Sequence, residues 1–263
     1  CHPTALRCCK GGFFVHENSI RRQYTMKIDP VIRKGLYFPA LVFLFWIAGS
    51  HFSLWNAYII PPPSEVAAAF TQVVTDGSLS RHLIVSFARV FSGFGAALLL
   101  AFPLAVALGM NKHWNPYVHV SLECIRHIPP LATIPMLILW FGIGETPKLL
   151  IVVMATFFPI FFNTLHGVAS CDHKLIEVAR SFGMNRRAIF RQVVLPAALP
   201  SVLVGMRLGL GYSWRALVGA ELIAASSGIG YLILDAEQLS RPDLVIIGIL
   251  TIGFMGTLID WAF

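Results

Sequence analysis

Four of the cations in this chain, Arg89, Arg126, Arg207 and Arg215, stand inside long apolar stretches. A charge in such surroundings is expensive and is kept when it is paired or when it does work. Arg126 and His127 come just before Pro129 and Pro130, where missing amide protons break the helical ladder and leave backbone polar groups beside any adjoining cavity. A guanidinium, an imidazole and freed backbone groups at one place can receive an anionic head group, so Arg126 and His127 are candidates for an oxyanion pathway. Arg126 has competing uses: Glu123 lies one turn earlier for an ion pair, and the long side chain can snorkel to the cytoplasmic interface. Arg215 and Glu221 read as structural, and Arg89, near the outer end of its stretch, as reaching the interface.

Other chemistries lack their residues. There is no GxxxxGK[ST] loop for nucleotide phosphates and no HExxH spacing for a metalloprotease, and the nine histidines are scattered. Five cysteines with no CxxC spacing indicate neither a disulfide framework nor a zinc site. No catalytic residue and no metal ligand is therefore assigned. A carrier driven by an ion gradient would need paired carboxylates near mid-membrane, and Glu123 is the only acid well inside its stretch. The net charge of +7 and pI of about 9.4 raise nucleic acid as a partner. The basic residues instead fall in two blocks without the aromatic interleaving that stacks bases, which excludes that partner.

The elements that must position these residues are membrane spans. Of the 263 residues 56% are hydrophobic and 13% charged, with mean hydropathy +0.71; an ordinary soluble chain carries about 25% charged residues. A bilayer core about 30 Å thick needs roughly 20 apolar residues per helix. Six stretches meet that length: 36–55, 83–109, 117–141, 148–168, 199–224 and 243–263, the third interrupted by Pro129, Pro130 and Pro135. Turn chemistry separates them at Pro61-Pro62-Pro63, Asn115-Pro116, Gly142-Ile143-Gly144 and Ser226-Ser227-Gly228-Ile229-Gly230. Ser64 to Val74 reads as a short amphipathic helix at the membrane surface, with Ser64 as N-cap and Glu65 in its first turn. Met26, with its basic lead into the first apolar run, reads as an alternative start, and residues 1–25 as an upstream extension of a cytoplasmic segment 1–35. Thirteen Lys and Arg in one set of loops oppose three in the other, Arg81, Lys148 and Arg241. Positive charge is retained inside, so both termini and the loop 170–198 are expected in the cytoplasm. The chain stops at Phe263 without the polar tail that usually follows a last span, as an incomplete C terminus would.

The loop 170–198 is too long for a hairpin and too well patterned for a linker. Leu175, Ile176, Val178, Ala179 and Phe182 form a helical face, Gly183 supplies a stop, and Asn185 can cap a second helix running to Val194 before Pro196. Glu177-Val178-Ala179, then Gly183 after three residues, then Val193-Val194-Leu195-Pro196 after nine more, resembles the EAA signature of ABC importer permeases. Val178 and Val193 are conservative departures from that signature. The resemblance covers about residues 55–263 and is nearest the aliphatic sulfonate, taurine and nitrate permeases. It rests further on Ile60-Pro61-Pro62-Pro63, Arg126-His127-Ile128-Pro129, Leu139-Trp140-Phe141-Gly142-Ile143-Gly144, Phe158-Pro159-Ile160 and Ser227-Gly228-Ile229-Gly230-Tyr231-Leu232.

The resemblance implies an all-α polytopic permease of the type I ABC importer fold with about six transmembrane helices over 36–263. It implies that Glu177, Ala179, Gly183, Leu195 and Pro196 belong to a coupling helix docked on a cytoplasmic ATPase, where small residues at 179 and 183 permit close approach. ATP and magnesium would sit on that partner and no cofactor in this chain. A periplasmic or lipid-anchored solute-binding protein, a second permease copy and membrane lipids complete the expected partners, in a bacterial inner membrane. The alternative substrates are a thiamine-pyrimidine precursor or another small nitrogenous compound; the alternative class is the gradient-driven carrier.

Overall fold

In a computed structural model the described residues are 34–35, 37–111 and 115–263. The cytoplasmic segment expected over 1–35, including the extension 1–25 and the start at Met26, lies outside them apart from Lys34 and Gly35. Two units are distinguished, up to Leu54 and from Trp55 onward. In the first, α1 (Tyr37–His51) has 15 residues. At 1.5 Å per residue it rises about 22 Å, short of a full hydrocarbon core, where the sequence suggested a span over 36–55.

The second unit opens with α2 (Pro63–Thr75), capped by Pro62 in extended conformation with proline in the first turn. Proline at that position has no amide proton to lose and a torsion already set for helix, so the helix begins before Ser64, which is not its cap. Glu65 is in the first turn as expected, and Val66 and Ala69 are buried. The longest helix follows, α3 (Ser78–Met110), where Ala97, Ala101 and Ala105 repeat every fourth position and are wholly buried. Small side chains there let α6 (Glu145–Ala169) lie against it. A Cβ on Gly93 would come within 2.5 Å of the Val152 side chain. On its other side α6 meets α9 (Leu195–Ala224) at equally short range, since a Cβ on Gly205 would stand 3.0 Å from the Pro159 carbonyl.

The third expected span is broken. Helix α4 (Asn115–Arg126) stops, a 3-10 turn (Pro130–Thr133) intervenes, and α5 (Ile134–Phe141) leaves at 83°. Pro129, Pro130 and Pro135 cause the break, because each lacks a donor and restricts the residue before it. Beyond α6 come α7 (His173–Ser181) and α8 (Arg186–Ile189), then a single wide π turn (Phe190–Val194) that runs directly into α9. The chain closes with α10 (Ile229–Gln238), which sequence reading left as linker, and α11 (Pro242–Ala262). The fold is all-α and polytopic. Among the described residues four helices, α3, α6, the run containing α9, and α11, are long and apolar enough to span, and the bent α4–α5 pair makes a fifth. The difference from about six lies in the short α1.

Candidate functional site

The loop 170–198 is an ordered module. Asp172 caps α7 by accepting from the Lys174 amide at 2.9 Å, and Asn185 caps α8 by accepting from Ala188 at 2.8 Å. The Asn185 cap is as expected; Asp172 was readable as an Asp ahead of an amphipathic run and was missed. Gly183 ends the first helix with φ +74, in the left-handed region that favours glycine, and nothing lies within 4 Å of where its Cβ would be.

The apolar residues of α7 divide between two faces. Ala179 is buried with Val168, Cys171, Ile189, Val194 and Ala198, and Ile176 packs on the same cluster. Leu175, Val178 and Phe182 point the other way, with Phe182 81% exposed. Ala179 therefore seats α7 on its own chain rather than admitting a partner closely, which corrects the expectation for that residue. Glu177 is exposed beside the outward face. Leu195 and Pro196 form the first turn of α9, so Pro196 does not end a preceding helix. Pro196 cannot donate to the ladder, and the wide turn just before it, where the Leu195 amide donates to the Phe190 carbonyl, lets the helical run continue past it. Arg186 adds a tie to the body by donating to the Asn111 amide oxygen at 2.6 Å.

Arg126 and His127 lie at the broken span, as the prolines required. Arg126 makes the ion pair with Glu123 at 2.8 Å, and its guanidinium carbon lies 4.9 Å over the Phe162 ring. His127 Nδ1 is 2.6 Å from the Glu123 carbonyl oxygen. Both residues line a cavity of about 580 Å³ together with Phe158, Phe162, Tyr212 and Arg215.

A third cluster was not foreseen. Arg89 is buried, not at an interface. It donates from Nε and Nη2 to Glu145 at 2.5 and 2.6 Å, and from Nη1 to Glu221 at 2.8 Å and to the Ser227 carbonyl at 2.6 Å. Glu221, fully buried, also accepts from the Ser86 hydroxyl and the Gly230 amide. Lys148 donates to Glu145 at 2.9 Å. The turn Ser227-Gly228-Ile229-Gly230 is thereby folded onto the carboxylate, and Gly228, at φ +114, stands where any Cβ would strike Glu221. Glu221 pairs with Arg89, not Arg215, and a carboxylate pair does exist, Glu145 and Glu221 on one arginine. Glu145 stands just past Gly144 at a helix start, between the stretches 117–141 and 148–168 that the sequence marked; an acid in a first turn across from a span arginine was the available signal.

Residues 93–263 match the family described as binding-protein-dependent transport system inner membrane component. The chain belongs to this family of ABC importer permeases. Over 227 residues the permease is 37% identical to the aliphatic sulfonates transport permease protein SsuC of Bacillus subtilis, covering 86% of this chain and 82% of that protein. It is 34% identical over 246 residues to the taurine transport system permease protein TauC of Escherichia coli, covering 92% and 86%. The riboflavin transport system permease protein RibX of Chloroflexus aurantiacus is also 34% identical, over 215 residues, covering 82% and 80%. The permease lies near the sulfonate and taurine branch, and its 170–198 loop module and broken span fall inside the matched region.

Proposed function

We propose that this permease forms the membrane passage of an importer for a small anionic solute, an aliphatic sulfonate, taurine or nitrate, and that a separate ATPase drives it. The observation carrying the coupling role is the two-faced α7: one face is fixed by Ala179 and Ile176, and the other offers Leu175, Val178 and Phe182 to a partner. A rigid helix with an unpartnered apolar face beside Glu177 suits a cleft in a cytoplasmic protein, and ATP with magnesium would be held there. Closure of the ATPase pair would then shift α7 and, through the unbroken run from Arg186, α9. Solute would arrive from a periplasmic or lipid-anchored binding protein, and two copies would enclose the passage in a bacterial inner membrane with both termini cytoplasmic.

The sulfonate reading is supported by the names of the relatives and by Arg126 and Arg215 both lining one cavity. A second reading, a neutral nitrogenous solute such as a pyrimidine precursor, draws on the riboflavin relative and on the aromatic lining of the same cavity. The gradient-driven alternative loses ground because Glu145 and Glu221 are neutralised by Arg89 and Lys148, leaving neither free to carry a cation.

Proteoliposomes holding the permease, its ATPase and its binding protein should take up taurine, an alkanesulfonate or nitrate only when ATP is supplied, and Gly183→Asp should abolish that uptake. ATP-independent uptake overturns the ABC coupling, and uptake of a pyrimidine precursor alone moves the assignment to the second reading.

A further inference from the structure

The span cations differ in what answers their charge. Arg89 lies on Glu145 and Glu221, Arg126 on Glu123, and Arg207 on Asp260 through two bonds of 2.8 Å. Arg215 has no carboxylate oxygen within 4.0 Å among the described residues. Its Nε donates to the Gly211 carbonyl one turn back at 2.9 Å, and its guanidinium carbon lies 5.0 Å over the Tyr212 ring. Those two contacts orient the group; the Asp260 carboxylate, bonded to Arg207, acts on Arg215 only through space, and a cation–π contact at an exposed site returns little of the cost of a charge in an apolar span.

The guanidinium is exposed on the cavity of about 580 Å³ that Arg126 and His127 also line. That volume is in the range of small-molecule sites. Phe158, Phe162 and Tyr212 give the cavity an apolar wall, while Nη1 and Nη2 of Arg215 have no hydrogen-bond acceptor among the described residues. The planar guanidinium fork matches a pair of oxygens on one oxyanion centre.

We propose that Arg215, rather than Arg126, binds the anionic head of the passing solute, with the aromatic wall receiving a short aliphatic tail. Arg126 is held by Glu123 and contributes the rim. The inference deepens the anion-import reading and rests on it; it names the solute class as a small monoanion bearing an oxyanion head and a carbon tail, which favours a sulfonate over nitrate.

The test uses the complete transporter in proteoliposomes with an alkanesulfonate as solute. R215Q should lower uptake about tenfold or more, the loss expected for one charge-assisted contact, while the ATPase still co-purifies. R215H supplies a readout that a merely structural arginine would not move. The cavity also holds His127 and Arg126, and Asp260 is engaged by Arg207, so the wild-type pH profile is the reference. Imidazole gains its charge below about pH 6.5, so the R215H ratio of uptake at pH 6 to that at pH 8 should exceed the wild-type ratio severalfold. R215Q transporting at the wild-type rate, or a flat R215H ratio, overturns the assignment. Should R215Q fail to assemble, the R215H ratio alone decides. A wild-type complex that imports the pyrimidine precursor and no anion overturns the anion reading and this inference together, whereas wild-type uptake with insensitive variants overturns this inference alone.

Discussion

A buried carboxylate tolerates its position only while its partners stay. Glu221 is fully buried and takes bonds from Arg89, Ser86 and the Gly230 amide, so removing it leaves a buried guanidinium half answered and a turn without its anchor. Truncating one member of such a pair costs about 3–5 kcal/mol. Glu145 holds the same arginine and the buried Lys148, but its own side chain is 56% exposed and solvent screens these pairs, so its loss should cost less than that of Glu221. Thermal unfolding of the purified permease in detergent should therefore rank wild type, E145Q and E221A in descending stability, with the large step at E221A. Equal effects would mean that the cluster acts as a surface pair. Gly228 belongs to the same argument: a non-glycine residue at its left-handed φ costs about 1–3 kcal/mol before any collision with Glu221 is counted. Arg89 illustrates what a linear reading loses, because its partners lie 56 and 132 positions away and no local spacing pairs them.

Elements were legible where their signals are local. The spans announce themselves by apolar length, the break by three prolines, and the helices of the 170–198 loop by their glycine stop and their asparagine cap. What could not be read was the division of one apolar helix into two faces, since Ile176 and Ala179 differ from Leu175, Val178 and Phe182 only in which tertiary neighbours they meet. Helix α10 was missed for a related reason: ten residues carrying Asp235 and Glu237 fall below the length of a span and lack a conventional cap. The two faces of α7 make opposite predictions. Replacing Ala179 with Leu overfills the seat among Ile189, Val194 and Ala198 and should destabilise the permease by about 1–3 kcal/mol, lowering its unfolding temperature. Replacing Phe182 with Ser removes an exposed side chain, so the unfolding temperature should hold while co-purification of the ATPase weakens. If both substitutions lower stability and neither affects co-purification, α7 is a packing element and not a docking one.

At the scale of the whole molecule, α9 connects the sites. Its 30 residues rise about 45 Å; the proposed coupling module adjoins its first turn, Arg215 lies further along on the cavity, and Glu221 is in its last turn. The backbone is helical from Arg186 through the wide turn Phe190–Val194 into this helix, so a displacement of α7 that crosses the Gly183 turn passes into α9 without a further break. On the proposed orientation, drawn from thirteen basic residues against three, the module's end would face the cytoplasm and the Arg89–Glu221 end the outside. That orientation can be read by labelling single cysteines with an impermeant maleimide. Cys171 makes a quiet background, since burial, and then the Asp172 carboxylate, push its thiol up and keep it protonated. With the other native cysteines replaced by serine, Ser226→Cys, exposed in the turn after α9, should label in intact cells, and Arg187→Cys, exposed on α8, only once the membrane is opened. The reverse pattern would put the coupling module outside, where no ATPase supplied with cytoplasmic ATP could reach it, and the mechanism would fall with the topology.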